Sequence, residues 1–216
     1  MDIEALALRS IWFAHLPAPL RAALLHAGRV ARLDAGQWVF GEGDAETGVL
    51  LVLEGALRIE ASVGAERDVL LNLAPAGAAF GQSRRGGGGP RLVTARAASA
   101  ATVLLIPDAA LQRIAEVHPA LWRAVSELVY GQLDTIVHLA AQLLALGPRG
   151  RIAARLLTFA AGGEVALSQS DLAEMCGLSR KATNAHLAAL ERAGAIARGY
   201  GRIAIIDAGA LRRLAA

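Results

Sequence analysis

Near the C-terminus, Ser179, Arg180, Lys181, Thr183 and Asn184 gather hydrogen-bonding and cationic side chains within two helical turns. Lys181 is the only lysine among 216 residues. Arg180 and Lys181 can donate to guanine O6 and N7 or to phosphate, and Asn184 can pair with adenine. Ser179 and Thr183 suit phosphate contacts, aided by the positive end of a helix dipole. Ser168, Gln169, His186, Arg198 and Arg202 complete the set of candidate contacts. This is the chemistry of recognising a polyanion, and nothing in the chain points to catalysis. The sequence has no Walker loop, no paired metal ligands and no nucleophile elbow. The glycine-rich RRGGGGP at 84–90 lacks the Lys-Ser/Thr that a phosphate loop requires.

The residues around this cluster prescribe how it is held. Ser168 is placed as an N-cap, with Asp171 three residues on in a variant of the capping box. A helix over Gln169–Cys176 then turns Leu172, Ala173 and Cys176 inward. Gly177 supplies the positive φ that ends a helix sharply. Ser179 caps a second helix, whose inner face includes Leu187 and Leu190. The pattern is a helix-turn-helix. After it, AIARGYGRIAIID reads as two short strands about Gly199–Gly201, a wing with Arg198 and Arg202 placed for backbone phosphates.

Upstream, LGPRG at 146–150 carries the stop signals Gly147 and Pro148 and is a natural hinge. The segment 119–146 reads as one long helix. In it Trp122, Val125, Val129, Gln132, Ile136, Leu139 and Leu143 step by alternating threes and fours, which predicts a two-stranded coil with Gln132 fixing register. Between Val30 and Ile106, short alternating runs separated by glycine-rich turns predict an antiparallel sandwich or barrel. They include Gln37–Phe40, Val49–Leu53, Leu57–Ile59, Val69–Leu73 and Thr102–Ile106. Residues 5–28 have helical spacing broken by Pro17 and Pro19, so two or three short helices are expected. The expected class is α+β: a jelly-roll β-barrel domain with N-terminal helices over 1–117, a dimerisation helix over 118–146, and a winged helix-turn-helix over 147–216.

Composition bounds the partners. Hydrophobic residues make up 55% and aromatics 4%, so the core must be aliphatic. The single cysteine, Cys176, excludes an intramolecular disulfide and a cysteine-ligated iron–sulfur cluster. It is expected to pack rather than react. No apolar run reaches the ~20 residues needed to span a bilayer, and the acidic N-terminus is unlike a secretory signal, so a cytoplasmic protein with no membrane partner is expected. From Pro148 onward there are 10 basic and 5 acidic residues, against 12 and 14 before it. A net +5 C-terminal third on a −2 body suits a polyanionic partner.

Together these residues resemble the cyclic-AMP receptor/fumarate-nitrate regulator (Crp/Fnr) family of bacterial transcription factors. LSQSDLAEMCGLSRKATNAHLAALERAGAI carries the more specific part of the likeness. LDAGQWVFGEGD and LVLEGALRIE match the family's glycine-punctuated hairpins at Gly36, Gly43 and Gly55. The resemblance implies a homodimer that reads a near-palindromic site in double-stranded DNA, with RNA polymerase as a further partner. It departs from the family at Lys181, where glutamate is common, and at Ala185, where arginine is common, so the usual operator is not expected.

The resemblance also implies an effector site. Relatives that bind cyclic AMP carry a Phe-Gly-Glu…Arg-Ser cassette, matched here by Phe80, Gly81, Gln82, Arg91 and Leu92. Gln82 lacks the carboxylate's charge, Leu92 lacks a hydroxyl, and Gly86–Gly89 replaces an ordered turn with a flexible loop. Ile136 and Val137 stand where relatives hold the purine with a Thr-Ser pair. Arg91 alone keeps its role, so the cyclic-nucleotide cassette is degraded and the effector is unassigned. Haem is not expected, since His15, His26, His118, His138 and His186 are scattered. The main expectation is an effector-gated regulator. The alternatives are a constitutive DNA binder with a vestigial barrel, and a ligand-binding module acting on a protein partner.

Overall fold

The computed structural model describes residues 2–64, 67–160, 162–199 and 201–216, with Arg67 described only in its backbone. The chain divides into two compact units, Met1–Asp134 and Thr135–Ala216.

The first unit begins with three short helices, α1 (Ile3–Ala7), α2 (Ile11–Ala14) and α3 (Ala18–Ala27). Asp2 and Ser10 cap the first two, and Pro17 stands at the N-cap of the third. Among the described residues eight strands follow: β1 (Arg29–Leu33), β2 (Trp38–Phe40), β3 (Gly48–Glu54), β4 (Ala56–Val63), β5 (Arg67–Pro75), β6 (Ala79–Gln82), β7 (Thr94–Ala97) and β8 (Ala101–Pro107). They form two antiparallel four-stranded sheets, ordered β1-β8-β3-β6 and β2-β7-β4-β5. Helices α4 (Asp108–Val117) and α5 (Ala120–Ala145) complete this part, and the division between units falls inside α5.

Strand β3 explains the layering. Its run GVLLVL is apolar at every position rather than alternating, because both faces are covered. Leu50 and Val52 join Leu57, Ala74, Phe80, Ala95, Ala97 and Val103 in the core shared by the two sheets. Val49, Leu51 and Leu53 face the other way, onto a helical layer that includes Phe13, Leu24, Leu111, Leu121, Val125 and Leu128. β3 and β6 approach so closely at Gly81 that a Cβ there would strike the Gly48 carbonyl, and φ at Gly81 is +144°. Only glycine fits.

The second unit contains the end of α5, then α6 (Pro148–Thr158), β9 (Glu164–Val165), α7 (Gln169–Met175), α8 (Arg180–Arg192), β10 (Ile196–Gly199), β11 (Arg202–Ile205) and α9 (Ala208–Leu214). The three strands pair antiparallel in the order β10-β11-β9. The third strand β9 and the final helix α9, capped by Asp207, have signals too short to stand out in the sequence. Among the described residues no helix is long and apolar enough to cross a membrane.

Candidate nucleic-acid interface and effector cassette

The helix-turn-helix is built by local chemistry. The Ser168 hydroxyl accepts from Asp171 N–H at 3.0 Å and donates to the Asp171 carboxylate at 2.7 Å, so the expected capping pair forms. At the other end of α7, Leu178 N–H reaches the Ala173 carbonyl at 2.9 Å and Gly177 N–H reaches Glu174 at 3.0 Å. That is a Schellman turn, with Gly177 at φ +63°. Ser179 then caps α8 by accepting from Ala182 N–H at 3.2 Å.

Helix α8 has two faces. Thr183, Leu187 and Leu190 are buried at i, i+4 and i+7. Arg180, Lys181, Asn184 and Ala185 are exposed, Ser179 is exposed at the cap, and His186 is half-buried. The phosphate role expected of Thr183 is therefore corrected: it is 0% exposed, and its hydroxyl has no hydrogen-bond partner. The 3.6-residue period that turns Leu187 and Leu190 inward turns Thr183 inward too. On α7, Ser168 is exposed and Gln169 half-buried.

The wing forms as expected, with Gly199 paired to Arg202 across β10 and β11. Tyr200 lies outside the described residues. Arg198 differs from expectation. Its guanidinium donates to Asn184 Oδ1 at 2.8 Å and to Glu191 Oε2 at 2.7–2.8 Å, and its N–H donates to Glu191 Oε1 at 2.8 Å. It is tied to α8 rather than left without partners. These bonds hold the Glu191 carboxyl below the usual carboxylate range. Asn184 and Glu191 lie two turns apart on one face of α8, a spacing visible in the sequence, but only the fold brings Arg198 to both. Arg202 is exposed and 3.2 Å from Glu164 Oε2.

Behind α7, Arg151 donates to the Leu146 carbonyl at 2.9 Å and to the Cys176 carbonyl at 3.4 Å. Cys176 is buried, and burial pushes its thiol up to about 11. It packs, as expected. Arg155 is also buried, with one guanidinium nitrogen unpaired, and burial lowers its pKa. Neither arginine carries a sequence signal that separates it from surface cations.

The helix α5 seam divides. Trp122 and Val125 pack against the chain's own helical core, and Leu139 is buried. Gln132 bonds both backbone groups of Gly81, accepting from N–H at 3.3 Å and donating to the carbonyl at 2.9 Å. Trp122, Val125 and Gln132 therefore meet groups of the chain's own first unit. Val129, Leu133 and Ile136 are exposed at 41%, 54% and 44%, Ala140 is exposed and Leu143 half-buried. Val129 and Leu133 in the first unit, and Ile136 and Ala140 in the second, follow one another along α5 at steps of four, three and four.

In the cassette, Phe80 is buried edge-on to Phe40, ring centroids 6.3 Å apart. Arg91 is 8% exposed. Its Nε donates to the Glu46 carbonyl at 3.1 Å, its Nη1 donates to the Gly48 carbonyl at 3.0 Å, and the guanidinium lies 4.0 Å above the Phe40 ring. Burial lowers its pKa, while Asp44 and Asp108 act in the opposite sense. Gln82 donates to the Gly89 and Pro90 carbonyls at 2.8 and 2.6 Å. The glycine run is not a loose loop: Gly86 and Gly88 donate to the Ser83 hydroxyl and carbonyl at 3.0 and 2.8 Å. Ser83 in turn bonds Asp108. Leu92 is exposed at 72%, and Ile136 and Val137 are exposed on the part of α5 in the second unit. Among the described residues no group of three or more His, Cys, Asp or Glu side chains could hold a metal ion.

A two-sheet β domain followed by a long helix and a winged helix-turn-helix defines a class of DNA-binding regulators, and comparison with known proteins makes the assignment. The model of the cyclic nucleotide-binding domain matches residues 30–118, and that of the Crp-like helix-turn-helix domain matches residues 150–214. The chain is 30% identical to the HTH-type transcriptional regulator Cmr of Mycobacterium tuberculosis, over 97% of this chain and 89% of that one. It is 29% identical to the nitrogen fixation regulation protein FixK of Bradyrhizobium diazoefficiens, over 88% and 84%. The solved structure of FixK2 from Bradyrhizobium japonicum aligns with a TM-score of 0.79 at 22% identity, covering 88% of this chain and 98% of that one, and supports the fold. The chain belongs to the Crp/Fnr family of DNA-binding transcriptional regulators.

Proposed function

We propose that the protein works as a homodimer, in which α8 of each subunit enters the major groove of one half of a near-palindromic DNA site. The carrying observation is the first turn of α8: a capped helix start with Arg180 and Lys181 exposed beside Ser179. Cations at that position reach base edges and phosphates while the helix N-terminus favours an anion. The exposed stripe Val129–Leu133–Ile136–Ala140 supports pairing of two α5 helices. Half-sites about 34 Å apart match such a dimer. The test is a mobility-shift assay of the full chain on promoter fragments from its own genome at low salt, beside Arg180→Ala/Lys181→Ala. At least tenfold weaker retardation of the double variant is expected. No retarded band, or equal retardation, refutes the reading.

A second reading, DNA binding without a small-molecule gate, draws support from Arg91. Its Nε and Nη1 donate to the Glu46 and Gly48 carbonyls and its face lies on the Phe40 ring, so part of its donor set is committed to the protein's own backbone. An effector can move the DNA-binding units only through a difference in affinity between two arrangements. A ligand at roughly 100 times its Kd adds about 2.7 kcal/mol of stability. A thermal-shift measurement with cyclic AMP therefore tests the cassette: a clear rise in the midpoint supports the gate, and an unchanged midpoint removes cyclic AMP as its effector.

A further inference from the structure

Arg198 is the wing cation expected to grip phosphate, yet the fold gives it another task. Its guanidinium is held by the Glu191 carboxylate on one side and meets Asn184 Oδ1 at 2.8 Å on the other. A guanidinium has no acceptor, so the amide atom it touches is the oxygen, and the orientation of Asn184 is fixed by chemistry. The group left for a base is the Asn184 NH2.

An asparagine reads adenine by accepting from N6 while donating to N7. An oxygen already bonded to a guanidinium is a poorer acceptor for a second N–H, and the same polarisation makes the NH2 a better donor. Arg180 and Lys181, exposed on the same helix, are donors only. The base-facing surface of α8 thus offers donors, and the matching edge is that of guanine, with acceptors at both N7 and O6. Glu191 meanwhile neutralises Arg198, so this cation adds little to phosphate attraction.

We infer that Glu191 and Arg198 are positioning residues for base reading: they hold Asn184 as a hydrogen-bond donor, so that α8 selects guanine over adenine at the base pair Asn184 meets. This rests on the DNA-binding reading above.

The test is selection of binding sites by the full chain from a randomised duplex pool, followed by fluorescence anisotropy on the selected duplex and its single-base variants. Wild type is compared with Asn184→Ala, Arg198→Ala and Glu191→Gln, each checked for an unchanged melting profile. Wild type is expected to prefer guanine over adenine by about tenfold at one position per half-site, as a good base contact does. Asn184→Ala should identify that position by reducing the preference to within about twofold. Arg198→Ala and Glu191→Gln should relax the same position and leave the others unchanged, and Arg198→Ala should keep the salt dependence of binding. If Arg198→Ala instead weakens all duplexes equally and lowers the salt slope by about one, Arg198 is a phosphate contact and the inference is overturned. Adenine preferred by wild type at the position that Asn184→Ala relaxes overturns it as well. Failure of wild type to retain any duplex overturns both this inference and the DNA-binding reading.

Discussion

Gln132 on α5 clasps Gly81 on β6 at both backbone groups, donating to its carbonyl at 2.9 Å and accepting from its N–H at 3.3 Å. β6 is an edge strand, and an edge leaves such groups unpaired unless something covers them. The glutamine that a heptad reading assigns to a partner helix closes the edge of its own sheet. Gln132→Leu should therefore lower unfolding free energy by about 1–3 kcal/mol, the cost of orphaned backbone groups, as measured by urea titration. A register-setting role predicts instead a change of oligomeric state with stability kept.

Arg91 gives a second contrast. If it is a structural strut, Arg91→Ala loses two hydrogen bonds and a contact with the Phe40 ring, and should destabilise the ligand-free protein by roughly 3 kcal/mol. A residue waiting for a phosphate could be removed with little effect on the free protein's melting point.

Thr183 carries a buried hydroxyl without a partner. Thr183→Val keeps the shape and removes the orphan. We expect stability to rise by about 1 kcal/mol in chemical denaturation, with DNA affinity within twofold of wild type. A loss of affinity by tenfold or more would restore the phosphate role.

Cys176 sets a pH dependence. Its thiol is raised by burial from 9.0 to about 11, so the folded state resists losing the proton that the unfolded chain gives up near pH 9. The contribution is fully present below pH 9 and is lost as pH climbs from 9 through 11, on the order of 2 kcal/mol. Cys176→Ser should flatten that fall in denaturation measured across the window. At pH 8 the native thiol should react with iodoacetamide far more slowly than the urea-unfolded one.

The exposed stripe on α5 makes a last prediction. Leu133→Glu and Ile136→Glu together replace residues that are 54% and 44% exposed, so the subunit fold should survive. In sedimentation the paired charges should convert a dimer into a monomer.

Much of the molecule was legible as sequence because its signals are local. Ser168 with Asp171, Gly177, and Ser179 specify caps and a turn within a few residues, so the helix-turn-helix could be read directly. The glycine turns marked the strands, and Pro17 broke the N-terminal helices. What the chain could not reveal was decided by contacts between residues distant in sequence. Gln132 and Gly81 are 51 positions apart, and Arg91 and Gly48 are 43 apart. Each of these side chains faced several chemically equal uses: a partner subunit, a phosphate, or a backbone carbonyl. A buried polar group must bond to what the fold places beside it, and that neighbour exists only after the sheets have closed. Local propensity fixed the elements; tertiary packing decided which of their polar side chains remain free to meet another molecule.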